Sequence, residues 1–80
     1  MTTLRLGPPI RVGEVEVIPI ERAHSTVDMI GDGVLAIGRK EPAALVIRTR
    51  DGDRATDLDG AAVPLDDLLR DVPGLREWLR

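Results

Sequence analysis

AALVIRTR, residues 43–50, contains the longest unbroken apolar run of the chain, Ala43 to Ile47. Asp51-Gly52 follows it, and a second Asp-Gly pair stands at Asp59-Gly60. Asp-Gly between β-compatible segments signals a hairpin, because a type I′ turn needs positive φ at both central residues. Residues 43–50 therefore read as the organising strand, and residues 53–58 as its more polar return strand near an edge. Strict alternation turns Leu45 and Ile47 toward the core. Ala44 and Val46 then fall on the reverse face, which begins apolar and becomes charged at Arg48 and Arg50.

Upstream of this strand, residues 34–40 form a strand with Leu35 and Ile37 facing the same way, and Glu41-Pro42 separates it from the organising one. Gly31-Asp32-Gly33 is a turn. Residues 21–30 place Val27 and Met29 on one face and His24, Thr26 and Asp28 on the other. In residues 15–20, VEVIPI, the phase changes: Val15 and Val17 share one face, Ile18 and Ile20 the other. A strand with apolar residues on both faces needs a bulge, a bend or burial on both sides. Pro19 cannot donate to a ladder and fits an edge or a bulge. Residues 10–12 read as a short strand and Gly13-Glu14 as a tight turn. Residues 1–6 read as a frayed arm or weak first strand, broken by Gly7-Pro8-Pro9.

Downstream, the pattern changes at Val63-Pro64. Pro64 suits the first turn of a helix, and Asp66 and Asp67 suit its positive N-terminal end. Leu65, Leu68, Leu69 and Val72 have helical spacing. Pro73-Gly74 interrupts the helix, and Leu75, Trp78 and Leu79 make a second short apolar face.

Eighty residues provide apolar surface for one core, so residues 1–80 are expected to form a single domain, with strands over about 9–58 and a helical tail over about 64–80. Apolar residues at 42 % and charged residues at 31 % are globular rather than disordered proportions. The apolar set is almost wholly Val, Ile, Leu and Ala, with no Phe, no Tyr and one Trp, which favours a thin two-layer core over a deep pocket. A lone core of this size has little stability to spare, and small unstapled domains gain it by oligomerising. The absence of cysteine excludes disulfides and thiolate metal sites. The interspersed charges, net −3, are not the basic stripe of a nucleic-acid binder. No signal-peptide build and no membrane-length apolar run is present, so no membrane partner is expected and the location expected by default is cytoplasmic.

Catalytic and metal-binding patterns are weak. Residues 51–62 superficially resemble a calcium loop, but Arg54-Ala55-Thr56 occupies the centre and Ala62 stands where a bidentate Glu belongs. Gly31, Gly33 and Gly38 match neither phosphate-binding fingerprint. His24 is the only histidine, and no cysteine can join it around a metal. As a general base it needs an orienting carboxylate, for which Asp28 and Glu21 are the near neighbours in sequence. Ser25 lacks a nucleophile-elbow context. Arg48, Arg50 and Arg54 form either a small basic patch or, more simply, cross-strand ion pairs. No catalytic residue, cofactor or metal ligand is assigned.

Two stretches carry a family resemblance. Pro9-Ile10-Arg11-Val12-Gly13-Glu14-Val15-Glu16-Val17-Ile18-Pro19-Ile20 resembles the opening of the sporulation protein YtfJ (GerW-like) family, a Pro-Ile-x-Val-Gly-Asp turn followed by a strand ending Ile-Pro-Val. Glu41-Pro42-Ala43-Ala44-Leu45-Val46-Ile47, followed by Asp51-Gly52, is similar to that family's second block. Between the two blocks family members carry a long glycine-rich insert, whereas residues 25–39 here are compact. The resemblance implies a small β domain that self-associates, and it implies no site residue.

The expectation from sequence is a mainly β (α+β) domain, an antiparallel meander or partly open barrel of five to six strands with two short C-terminal helices. Its expected function is a non-enzymatic structural or interaction module that forms a homodimer or higher homo-oligomer. The expected association surface comprises Val15, Val17, Ile18, Ile20, Ala44 and Val46, because one helical tail covers one face only. Two alternatives are a small-ligand site near Trp78 and Met29, and an enzyme using His24.

Overall fold

The computed structural model describes residues 2–80, apart from the side chains of Thr2, Asp28, Leu35 and Ile37. The expected shared face of Leu35 and Ile37, and Asp28 as an orienter of His24, fall on those side chains and outside the described residues.

Six strands and two helices follow one another as β1 (Thr2–Leu6), β2 (Ile10–Val12), β3 (Val15–Ile30), β4 (Gly33–Thr49), β5 (Gly52–Thr56), β6 (Ala62–Val63), α1 (Leu65–Asp71) and α2 (Leu75–Leu79). The strands form one antiparallel sheet in the order β1-β3-β4-β5-β6, with β2 also paired to β3. The fold is mainly β with a two-helix tail, and the sheet does not close into a barrel. Of the two readings of the N-terminal segment, a frayed arm or a first strand, residues 2–6 are the strand, paired with β3 from Thr2–His24 to Leu6–Ile20.

The organising stretch is longer than its sequence implies. Residues 34–40 and 43–50 are not two strands but parts of the single β4, which runs through Pro42. Two features accommodate a residue with no N–H. The β3–β4 register shifts between Ile20 and Glu21, so that Ile20 pairs with Ala44 and Glu21 with Pro42. In addition, β5 borders β4 only from Leu45 to Thr49, leaving the outer side of Pro42 at an edge. Pro19 sits where the chain crosses from β1 to β2, and its carbonyl accepts a 2.8 Å hydrogen bond from the Gly7 amide.

The expected phase of the organising strand is reversed. Ala44 and Val46 are buried together with Ile18, Ile20 and Ala55, under Leu68, Val72 and Leu75 of the C-terminal segment. Leu45 and Ile47 face the other way and are half-buried. The small side chains of Ala44 and Ala55 let the helices close onto the sheet, while Ile18, Ile20 and Val46 fill the layer between. Leu4, Leu6, Val63, Leu65, Leu69, Trp78 and Leu79 pack around this core. Pro64 is the N-cap of α1 rather than its first helical residue, and Pro73-Gly74 divides the helices, with Gly74 at φ 88°.

Both Asp-Gly pairs are turns, but the first is not type I′. Arg50 and Asp51 are its central residues, no non-glycine residue has positive φ, and Gly52 opens β5 at φ 131°. Thr49 Oγ1 accepts the Asp51 amide at 3.2 Å and donates to the Gly52 carbonyl at 3.1 Å, which fixes the turn. At the second, Asp57 Oδ1 accepts the Asp59 and Ala61 amides, both at 2.9 Å.

Beyond the His24–Arg39 pair, β3 and β4 continue to the Gly31-Asp32 turn with no third strand among the described residues. These six residue pairs, from Ser25–Gly38 to Ile30–Gly33, make an arm about 20 Å long. The overall extents are 56 × 26 × 24 Å, and the radius of gyration is 15.6 Å. A compact chain of this length would have a radius of about 12 Å.

Candidate functional site

Period-two alternation sorts the sheet into two faces. The helices cover the face of Ile18, Ile20, Ala44 and Val46. On the opposite face the register aligns Val12 with Val15, Ile10 with Val17 and Ile47, and Pro19 with Leu45. Ile10 and Val12 are 54 % and 67 % exposed, and the others are half-buried with no covering layer among the described residues. The same face continues up the arm through Val27 opposite Ala36 and Met29 opposite Val34. Val27, Met29 and Val34 are 63–74 % exposed.

Between these two apolar zones lies an open groove of about 670 Å³, lined by Thr3, Arg5, Ala23, Ser25, Gly38 and Lys40 and bordered by His24 and Arg39. Its floor is low because Ala23, Ser25 and Gly38 carry little or no side chain. Arg5 and Lys40 make its rim cationic, and Glu21 stands directly opposite Arg5 in the ladder.

The expected association residues are divided by this architecture. Val15 and Val17 lie on the uncovered face. Ile18, Ile20, Ala44 and Val46 do not: they are 0–6 % exposed in the core. The correction follows from the phase of the strands, since the helical tail claims the face that carries the two isoleucines. Leu45, Ile47, Ile10 and Val12 take their place. The reversed phase of residues 43–50 hid Leu45 and Ile47, and a three-residue strand carries too little periodicity to reveal Ile10 and Val12.

Among the described side chains His24 finds a carboxylate farther along the chain than Glu21. Its Nε2 lies 2.5 Å from Glu41 Oε1. Counting back from the Ile30–Gly33 pair sets His24 opposite Arg39, with Glu41 two residues along on the same face. That count was available in the sequence once the turn at residues 31–32 was accepted. Glu21 is on the other face. The hydrogen bond from His24 holds the Glu41 carboxyl below the usual carboxylate range, partly offset by desolvation, with the charges of His24, Arg39 and Arg22 assisting. A histidine oriented by a carboxylate is one part of a general-base device. Here the pair lies on a sheet surface, 30 % and 44 % exposed, and Ser25 follows His24 in the strand and so belongs to the opposite face. The arrangement supplies a cross-strand hydrogen bond.

Trp78 and Met29 do not share a site. Trp78 stacks over Arg48, whose guanidinium carbon is 5.4 Å from the ring centroid, at the base of the sheet. Met29 is near the arm's tip, about 40 Å away along β3. The three arginines are likewise dispersed. Arg48 pairs with Asp53 across the hairpin at 3.7 Å, Arg50 with Glu14 at 2.9 Å, and Arg54 is aligned with Ile47 on the uncovered face. No metal-binding group of side chains occurs among the described residues, and no helix is long and apolar enough to cross a membrane.

Compared with known proteins, the chain matches no family model, no curated protein and no solved structure.

Proposed function

We propose that this chain is a non-enzymatic interaction module of the cytoplasm that acts by binding a second copy of itself, in keeping with its resemblance to the sporulation protein YtfJ (GerW-like) family. One observation carries the reading: a sheet face with two apolar zones in one phase, around Val12, Val15 and Val17 and at Val27 and Met29, has no covering layer among the described residues. An isolated two-stranded ribbon is at best marginally stable in water, and it persists when a third strand or an opposing layer supports it. Among the described residues the arm has neither. Extended exposed apolar patches on small domains mark interaction surfaces.

The test is molar mass in solution over a range of protein concentrations. The expected result is a discrete species of twice the 8.7 kDa chain mass that dissociates on dilution. Replacing Val27 and Met29 together by Ser should return it to one chain mass, with circular dichroism keeping the signal of the base and losing at most the strand signal of the arm. A wild-type chain that stays at one chain mass at high micromolar concentration refutes the reading.

A further inference from the structure

The uncovered face is self-complementary along its length. Read as ladder rows, it runs Val12–Val15, then Ile10–Val17–Ile47–Arg54, then Pro19–Leu45–Thr56, then Arg5–Glu21–Pro42. It continues as Thr3–Ala23–Lys40, Ser25–Gly38, Val27–Ala36 and Met29–Val34. The eight rows divide evenly about Arg22, whose side chain alternation places on the other face. Two rows apolar at their β3 and β4 positions stand at each end, with Arg54 on the outer edge of the Ile47 row. The bulky Pro19–Leu45 row on one side of the centre is matched by the small Ser25–Gly38 row on the other. The two central rows have charges that answer each other, Glu21 in one and Lys40 in the next.

Resting on the self-association reading, we infer that two copies pack face to face and antiparallel, with a two-fold axis lying between the two sheets, across the strands and level with Arg22, so that the arm of each lies on the base of the other. A two-fold interface requires that if one residue meets a second, the second meets the first. About Arg22 this sets Met29 on Val15 of the second copy and Val27 on its Val17. Ser25 and Gly38 then receive Pro19 and Leu45, a small row against a bulky one, as interdigitating sheet faces demand. The groove floor of Ala23 and Gly38 is where the sheets approach most closely. Glu21 lies above Ala23 of the second copy, beside that copy's Lys40.

The alternatives fit less well. Tip-to-tip docking of the arms would bury only the last two rows and leave the base open. Edge pairing through β4 would satisfy backbone groups but leave the whole apolar face in water. Face packing from row 15 to row 29 covers a strip about 46 Å long and about 10 Å wide on each copy, or about 1,000 Å² in total once β1 and β2 are included. That lies at the lower edge of specific interfaces, which accounts for a dimer that dissociates on dilution.

Charge complementation tests the arrangement. In the antiparallel dimer Met29→Glu and Val15→Lys each spoil both copies of one contact, so each variant alone should fall from twice the chain mass to once. Their equimolar mixture should return to twice the chain mass, because the mixed dimer has one Glu–Lys contact and one unaltered contact. A mixture that stays monomeric, or a single variant that keeps the wild-type mass, overturns the inference while the wild-type dimer stands. A monomeric wild type removes the self-association reading itself. Should either variant fail to fold, the chain's lack of cysteine permits a second measurement. Spin labels on Thr3→Cys and on Asp32→Cys should report intersubunit distances under about 20 Å and near about 60 Å, respectively, from the row spacing. A short distance at Asp32 with a long one at Thr3 overturns the antiparallel arrangement.

Discussion

Val46 and Ile47 are consecutive in the organising strand, and the structure puts them on opposite faces with opposite energetic weight. Val46 is fully buried beneath the helices, while Ile47 is half-buried on the uncovered face. Val46→Ala removes two methyl groups, a transfer loss of roughly 1.6 kcal/mol at about 0.8 kcal/mol each. The space left is roughly 50 Å³, and at about 24 cal/mol per Å³ it adds roughly 1.2 kcal/mol where the sheet and helices do not collapse. The expected destabilisation is about 2–3 kcal/mol, or a fall in Tm of roughly 10–20 °C for a domain of this size. Ile47→Ala removes more carbon but opens no cavity, and its partial exposure limits the loss to about 1 kcal/mol. Urea unfolding of both variants, at two protein concentrations, separates the subunit's own stability from any contribution of association, because only the latter depends on concentration. If Ile47→Ala costs more than Val46→Ala at the lower concentration, the helices lie on the other face and the assignment of the surface fails.

Two further substitutions probe the turn and the His24–Glu41 hydrogen bond. Gly52 adopts φ 131°, a conformation strained for any side chain although open space surrounds it, so Gly52→Ala should destabilise by about 1 kcal/mol or more and lower Tm, and an unchanged Tm would disprove that geometry. His24→Gln should leave fold and chain mass unchanged and let the Glu41 carboxyl rise toward its ordinary value, read by NMR titration of the Glu41 side chain. Because Glu41 is depressed in the folded state, its contribution is present above the ordinary Glu value and disappears as pH falls through the depressed one. Solvent exposure keeps that contribution small. A Glu41 titration indifferent to His24→Gln would show that the hydrogen bond is absent in solution.

The fold class was legible in the residues themselves. β-Branched runs separated by Asp-Gly and Gly-Asp-Gly gave the strands and turns, and the leucine spacing after Pro64 gave the helices. The two-faced character of residues 15–20 was also present in the letters VEVIPI, and the structure realises it as a core face and an open face. Local pattern could not decide which face was which. In residues 43–47 every side chain is apolar, so alternation is satisfied equally by Leu45 and Ile47 inward or by Ala44 and Val46 inward. Only the docking of α1 and α2, which needs small residues beneath it, breaks that tie. The proline rule likewise misled at Pro42, because a strand edge and a register shift make a missing N–H harmless, and neither is a local property. The sequence by itself thus determined that there would be hairpins, a helical tail and more apolar strand surface than one tail can cover. Tertiary structure alone decided which half of that surface the tail takes and that β3 and β4 outrun their neighbours to form an arm. Each of these depends on register between strands distant in sequence, where a shift of one residue exchanges the faces.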